Sequence, residues 1–280
     1  MERAHKIALS ILSAKWGCKI DLKDAYFHVP IAWEFQKFFA FVIDGRTFVF
    51  QYMPFGLAVA PWAFSRVIKP LKGYLHTQRM IVHSFLDDFL LLADTQEKLK
   101  LVISMVLSMF KKLGLRVNWK KSSISPAQEV EYLGVLFKLD SLQLALPEEK
   151  VQKIALLTAQ MAMTQRATRR DLEGLLGLLS FASSLVPLGR LRLRPLLMWM
   201  NSQTDPGTRD TRVVLQSQFQ SDLLCWTNKS WLRLPVPMRT PVPTLQLMTD
   251  ASEQGWGECS FLTECRDCGP RSCRRSQSIG

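Results

Sequence analysis

The chain has 280 residues, is 48% hydrophobic, and sets 36 Lys and Arg against 24 Asp and Glu for a formal balance of +12. That length supports one large domain or two smaller ones with a real core, and the basic excess suits a polyanionic partner or an anionic surface. No window holds the roughly 18 consecutive apolar residues of a membrane span, no small-residue cleavage site follows the N-terminal apolar run, and four of the six cysteines fall after position 258. A membrane-spanning, secreted or disulfide-framed protein is therefore not expected. An intracellular one, in cytoplasm or nucleus, is.

Residues 3–14 read as a short helix and residues 18–21 as the start of a strand. FFAFVIDGRTFVFQYM, residues 38–53, holds two β-rich runs around Asp44-Gly45, a strong hairpin signal. After Pro54-Phe55-Gly56 a helix is predicted to begin near Pro61. MIVHSF and FLLLA are strand-like runs with Leu86, Asp87 and Asp88 between them. Residues 95–114 read as a capped helix, with threonine first, an acid in the first turn, lysines in the last and a terminal glycine. LRVNW and VEYLGVLF are further strand candidates. This order fits an α+β domain with a mostly antiparallel sheet. Beyond Asp140, PEEKVQKIALLTAQMAM and RRDLEGLLGLLSFASSLV carry apolar stripes at helical spacing. NSQTDPGTRD is a linker by composition, residues 212–226 are expected to be helical, and four prolines between 235 and 243 make a stiff connector. LQLMTDASEQGWGEC then starts something with strand character.

The stretch FLDDFLLLA sets Asp87 beside Asp88 within an apolar run. Buried without partners they would be costly, and they repel each other. A tight turn can hold both at an exposed edge, and a divalent cation would offset most of the remaining cost. Mg²⁺ takes hard oxygen ligands from one or two carboxylates plus substrate phosphates. Asp21, with Asp24 three residues on, offers a third acid for a two-metal site able to activate a hydroxyl and stabilise a leaving pyrophosphate. Alone, FLDD could also be a solvated hairpin tip.

DLKDAYFHVPI, MPFGLAVAPWAFSRVI, FLDD, GLRVNWKKS and EYLGVLF follow in the order of the palm motifs of reverse transcriptases. The sequence resembles the polymerase of a retrotransposon, of the class that integrates with a tyrosine recombinase. LPEEKVQKI resembles the start of the thumb, RRDLEGLLGLLSFAS the helical segment beyond it, and TDASEQGWG the opening strand of a ribonuclease H domain. The resemblance implies an α+β polymerase right-hand palm, a mostly antiparallel sheet with packed helices. It also implies partial fingers, a helical thumb and connection, and a truncated ribonuclease H-like start. The expected divisions are palm with a remnant of fingers over 1–138, thumb-like helices over 139–200, connection or linker over 201–244, ribonuclease H-like strand over 245–258, and a disordered tail over 259–280.

The same resemblance implies residue roles. Asp21 and Asp87 become direct ligands of two Mg²⁺ ions, with Mn²⁺ an alternative, Asp88 completes the acidic cluster, and the Leu22 carbonyl joins the coordination. Asp24 and Ala25 lie in the triphosphate-facing turn, though Asp24 also reads as a solvated loop acid. Tyr26 takes the place of the ring under the incoming sugar, where it would exclude a 2′-hydroxyl; alone it would pass for a core tyrosine. Phe55 and Gly56 line the nucleotide and template pocket, with phenylalanine where some relatives carry glutamine. Lys121 matches a lysine that protonates the leaving pyrophosphate, and a solvated basic turn is the competing reading for it and Lys120. Leu133 and Gly134 would grip the primer end. Lys111, Lys112, Arg116 and Lys120 form a basic run suited to phosphates. The implied partners are an RNA or DNA template with its primer and deoxynucleoside triphosphates, with no membrane.

Two departures qualify the expectation. Only 20 residues precede Asp21, where such enzymes carry most of the fingers and the cationic clamp on the triphosphate, so reduced electrostatic preorganisation is expected. Asp250 matches the first acid of a ribonuclease H site, with Glu253 and Glu258 nearby, but the later strands are missing. Cys265, Cys268 and Cys273 lack a fitting histidine for a zinc knuckle. The chain reads as truncated at both ends, and two classes of function stay open: a reverse transcriptase domain, or an impaired retroelement fragment that at most binds nucleic acid.

Overall fold

A computed structural model describes residues 7, 11, 14–202 and 210–239, together with the backbone of 245–252 and 255–262. Most of the helix expected over 3–14 lies outside the described residues. The chain divides into two compact units, Met1–Met238 and Arg239–Gly280.

The first unit is built on an antiparallel sheet of strands β1 (Trp16–Asp21), β4 (Ile81–Phe85), β5 (Asp88–Ala93) and β6 (Ser123–Ala127), in the order β4-β5-β1-β6. Between β1 and β4 come a 3-10 turn, Ala25–His28, a hairpin of β2 (Ala40–Ile43) and β3 (Arg46–Val49) around Asp44-Gly45, and helix α1 (Ala60–Thr77). Helix α2 (Gln96–Lys112) follows β5. Proline in its first turn starts α1, whose apolar stripe Phe64, Ile68, Leu71 and Leu75 is buried. The Thr95 hydroxyl caps α2 by accepting the Lys98 N–H at 3.2 Å, and Gly114 at φ 72° follows its end. Both helices cover one face of the sheet, where Cys18, Ile20, Phe89 and Leu91 meet Phe64, Leu75, Val106 and Phe110. Leu90 and Leu92 point into the other core. Burial on both faces is why FLLLA reads as an unbroken apolar run rather than an alternating one.

That other core lies under a second sheet of β7 (Glu129–Tyr132), β8 (Val135–Lys138), β9 (Gln143–Ala145) and β12 (Val236–Pro237), in the order β12-β9-β8-β7. Helices α3 (Glu148–Met163), α4 (Arg169–Ala182), α5 (Gly189–Ser202) and α6 (Ser217–Leu224) supply the rest, with β10 (Arg166–Thr168) paired to β11 (Arg212–Val214). Gly17 marks the close approach of β1 to this layer, since a Cβ there would stand 3.0 Å from Leu139, Leu92 and Val130 side-chain carbons. The expected α+β class, with antiparallel sheets and packed helices, is what the chain adopts.

Local differences have local causes. VEYLGVLF is a hairpin rather than one strand, because Leu133 (φ 52°) and Gly134 (φ 71°) form a two-residue turn. LRVNW makes only an isolated bridge, Val117 to Leu22, before the backbone turns back between Asn118 and Lys121. Residues 212–214 pair with β10 instead of opening the helix expected over 212–226, and the Leu215 N–H bonds the Gln165 carbonyl at 2.9 Å. The proline-rich connector contributes an edge strand, Val236 and Pro237 against Leu144 and Gln143, and Trp226 is fully buried, so residues 212–238 are packed structure rather than linker.

The second unit holds a hairpin of β13 (Leu245–Ser252) and β14 (Gly255–Leu262), with Asp250 opposite Gly257. The strand runs past the boundary set at 259 for the tail, whose remaining residues, 263–280, lie outside the described residues, as do Glu253 and the side chain of Glu258. Among the described residues no helix is long and apolar enough to cross a membrane.

Candidate functional site

The register of β1 against β5 sets Asp21 opposite Asp88 at the end of the first sheet. Phe85 pairs with Asp88, so only Leu86 and Asp87 make the turn, and Leu86 takes a left-handed conformation at φ 53°. Asp88 is thus the first residue of β5 rather than part of the loop. Lys19 shares the face of Asp21 by the period of two, and its Nζ reaches Asp88 Oδ1 at 3.0 Å diagonally across the strands. The contact is Coulombic, for that buried oxygen receives no hydrogen bond from the protein.

The segment after α2 is laced onto β1. Asn118 donates its N–H to the Asp21 carbonyl at 2.8 Å, and the Asp21 N–H donates to Ser122 Oγ at 3.0 Å. The Ser122 hydroxyl in turn donates to the Asn118 carbonyl at 2.7 Å. One residue on, the Leu22 N–H donates to the Asp87 carbonyl at 2.9 Å and the Lys23 N–H to the Arg116 carbonyl at 2.7 Å. Asp21 itself is buried.

Electrostatics shows which groups share the site. Burial raises Asp21 above the usual carboxylate range, the charges of Asp87 and Asp88 raise it further, and Lys121 and a hydrogen bond from the Asn118 side chain pull it back. Asp87 is raised chiefly by burial and also by Asp88, against its own backbone N–H, Lys121 and Lys19. Tyr26 is raised by burial and then by the charge of Asp87. Asp21, Asp87, Asp88, Tyr26 and Lys121 therefore lie within one field.

The 3-10 turn Ala25–His28 starts from Asp24, left-handed at φ 54° and without a side-chain cap. It holds Tyr26 against Phe55 and Phe64, ring centres 5.1 and 6.1 Å away. Phe55 is exposed, and Gly56, at φ 87°, has open space where a Cβ would stand. The β7–β8 turn is seated on the helices behind it: a Cβ on Gly134 would stand 2.7 Å from Lys150 Nζ, which lies 4.2 Å over the Phe181 ring. The fully buried Tyr132 donates its hydroxyl to the Asp88 carbonyl at 3.2 Å, joining this hairpin to the acidic turn. Lys111, Lys112, Arg116 and Lys120 are all exposed along the segment leaving α2.

Among the described residues no group of three or more His, Cys, Asp or Glu is gathered so that it could hold a metal ion by itself. Asp88 is engaged by Lys19, which leaves Asp21 and Asp87 as the two carboxylates of the site outside that ion pair, the charge of Asp87 acting on Asp21. Two such oxygen donors would suit a hard cation that completes its shell with substrate phosphates and water.

Residues 2–137 match the family model for reverse transcriptase (RNA-dependent DNA polymerase). The chain is similar to the Gag-Pol polyprotein of avian reticuloendotheliosis virus, 26% identical over 87% of this chain and 23% of that protein. It is also similar to the Gag-Pro-Pol polyprotein of human T-cell leukemia virus 2, 25% identical over 67% of this chain and 13% of that protein. Protein P of a duck hepatitis B virus is 22% identical over 83% of the chain and 27% of its own length. The chain thus spans about a quarter or less of these curated relatives. Two solved foamy viral protease-reverse transcriptases share the fold. One, in complex with double-stranded DNA, has TM-score 0.68 at 21% identity over 96% of this chain and 44% of that one. The other, in complex with an RNA/DNA hybrid, has TM-score 0.66 at 20% identity over 99% and 36%. The fold and the acidic turn together define a reverse-transcriptase-like domain. It is related in sequence to retroviral Gag-Pol and Gag-Pro-Pol polyproteins and to hepatitis B virus Protein P.

Sequence reasoning missed Lys19, Asn118, Ser122 and Tyr132. Lys19 had a signal in its two-residue spacing from Asp21, and Asn118 and Ser122 bracket the quoted lysines. Tyr132 had none, because its partner is a backbone carbonyl 44 residues away.

Proposed function

We propose that this chain is a retroelement-derived polymerase palm with thumb-like helices that binds a primer–template duplex, RNA or DNA, through the phosphate backbone. One observation carries the reading: Lys111, Lys112, Arg116 and Lys120 stand exposed in a run beside a palm whose fold-mates were solved on double-stranded DNA and on an RNA/DNA hybrid. Duplex affinity should fall steeply with salt, and Lys111→Gln with Lys112→Gln should flatten the log–log slope by about 1.8 if both reach phosphates. An unchanged slope, or no affinity at low salt, defeats the proposal.

A second reading, nucleotidyl transfer from deoxynucleoside triphosphates to a primer 3′-hydroxyl, is favoured by the shared field of Asp21, Asp87, Tyr26 and Lys121. Asp21 and Asp87, aided by the Leu22 carbonyl, would hold Mg²⁺, which supplies activation of the hydroxyl and stabilisation of the leaving pyrophosphate. Tyr26 would lie under the sugar and exclude a 2′-hydroxyl, Phe55 would stack, Leu133 and Gly134 would seat the primer end, and Lys121 would give its proton to the departing pyrophosphate. Primer extension on an RNA template that vanishes in Asp87→Asn supports this reading; extension that survives the change sinks it. Descent from the tyrosine-recombinase class, a ribonuclease H-like start at 245–258 with Asp250 as its first acid, and an intracellular setting belong to the same proposal.

A further inference from the structure

His28 joins two segments far apart in the chain. Its Nδ1 lies 3.0 Å from the Ala25 carbonyl oxygen, and its Nε2 lies 3.0 Å from the backbone nitrogen of Arg116. The polarity of both bonds is fixed by the partners, because a carbonyl can only accept and a backbone N–H can only donate. Nδ1 therefore carries the proton and Nε2 offers its lone pair, which is a neutral ring in a single tautomer. A charged ring would set Nε2–H against the Arg116 N–H, two donors facing each other.

The two bonds close a loop of backbone ties. Arg116 also accepts the Lys23 N–H through its carbonyl at 2.7 Å, while within the turn the Phe27 N–H bonds the Asp24 carbonyl at 2.9 Å and the Val29 N–H the Tyr26 carbonyl at 3.0 Å. Beside the ring lies a cavity of about 580 Å³, lined by Phe27, Tyr52, Leu71, Leu113 and Arg116 among others. Helix α1 brings only apolar side chains to it, Val67, Ile68 and Leu71. The titratable groups around His28 are thus Tyr52 and Arg116 across the cavity, with Lys23, Asp24 and Tyr26 on its own segment.

We infer that His28, as the neutral Nδ1–H tautomer, is a positioning residue that latches the turn of residues 24–28 to the segment after α2, and that the latch opens when the ring is charged. Tyr26 stands two residues from the ring, so the latch sets where that side chain sits. The consequence for nucleotide selection rests on the proposed polymerase reading; the latch itself does not.

The test is backbone amide exchange at Arg116 in the full chain, corrected for intrinsic rates, between about pH 5 and 8, the range in which imidazoles change charge. His28→Gln places a carbonyl oxygen near the position of Nε2, whereas His28→Asn keeps only a donor near that of Nδ1. Arg116 in the wild type should be protected at the upper end and lose about three- to tenfold at the lower, the worth of one hydrogen bond. H28Q should stay protected at both ends and H28N at neither, with all three melting cooperatively. Equal Arg116 exchange in all three variants overturns the latch, and pH-independent exchange in the wild type overturns its dependence on charge. Where primer extension is measurable, H28N should raise KM for the nucleotide with kcat nearly unchanged, and H28Q should restore it; an unmoved KM overturns the positioning role. A chain that never extends a primer counts against the polymerase reading alone, since the exchange data still decide the latch.

Discussion

Asp21 and Asp87 hold their protons more tightly in the folded chain than outside it, because burial and neighbouring charges raise both. A raised carboxyl contributes stability that is complete below its ordinary value, 3.8, and lost as pH rises through its folded value. At neutral pH the ionised pair therefore opposes folding. Asp21→Asn should raise the melting temperature at pH 7, and the gain should shrink to nothing below about pH 4. Magnesium should raise the melting temperature of the wild type more than that of D21N, by ligand linkage. A fall in stability at pH 7 in D21N would contradict the electrostatics. Glu148 carries the opposite sign. Hydrogen bonds from Arg233, at 2.7 and 3.0 Å, and from Gln152 lower it from 4.5 to about 2. Its contribution is full above its ordinary value and lost as pH falls, so Glu148→Gln should melt below the wild type at neutral pH, with the gap closing toward pH 2. Melting curves across pH check both signs. At this scale the motifs marked Asp21, Asp87, Tyr26 and Lys121, which the fold brings within one field. His28, Ser122 and Tyr132 were not legible, because each answers a backbone group distant in sequence.

Elements were legible where one physical signal ruled. Caps and stripes at three and four marked α2 and α4, and Asp44-Gly45 marked the β2–β3 turn. Apolar runs were harder: FLLLA is buried on two faces, and VEYLGVLF conceals a turn whose first residue is a leucine at positive φ. That β7–β8 turn also yields a prediction. Gly134 is left-handed and backed by Lys150, whose flexible end can move aside, so the backbone sets the cost of a side chain there. Gly134→Ala should lose about 1–2 kcal/mol of stability in urea unfolding. No loss would mean that the turn relaxes to another type. The edge strand β12 was illegible for a different reason: prolines suggest connectors, yet Pro237 pairs at the margin of a sheet, where its missing N–H is tolerated.

At the scale of the molecule, the first unit closes its own two cores by Met238, with Trp226, Leu232 and Met238 buried in the second. A chain ending at Arg239 should therefore still unfold in one cooperative transition, by fluorescence and circular dichroism alike; a broad, probe-dependent transition would show that the core needs the later residues. Cutting after Glu258 would instead sever β14 in mid-strand. The energetics of Asp21 and Asp87 also bear on how such a domain ages. The β1–β5 register and the Tyr132 tie to the Asp88 carbonyl belong to the packed core, so any lineage that still folds inherits the outline of the site without needing its chemistry. The carboxylates are not protected in this way. Copies released from selection should gain stability at neutral pH by losing either one, so drift should erase the acids before it erodes the hairpin that carries them. If the proposed polymerase reading holds, an intact turn with asparagine at 21 or 87 is the expected mark, among sister copies, of a lineage that no longer extends primers.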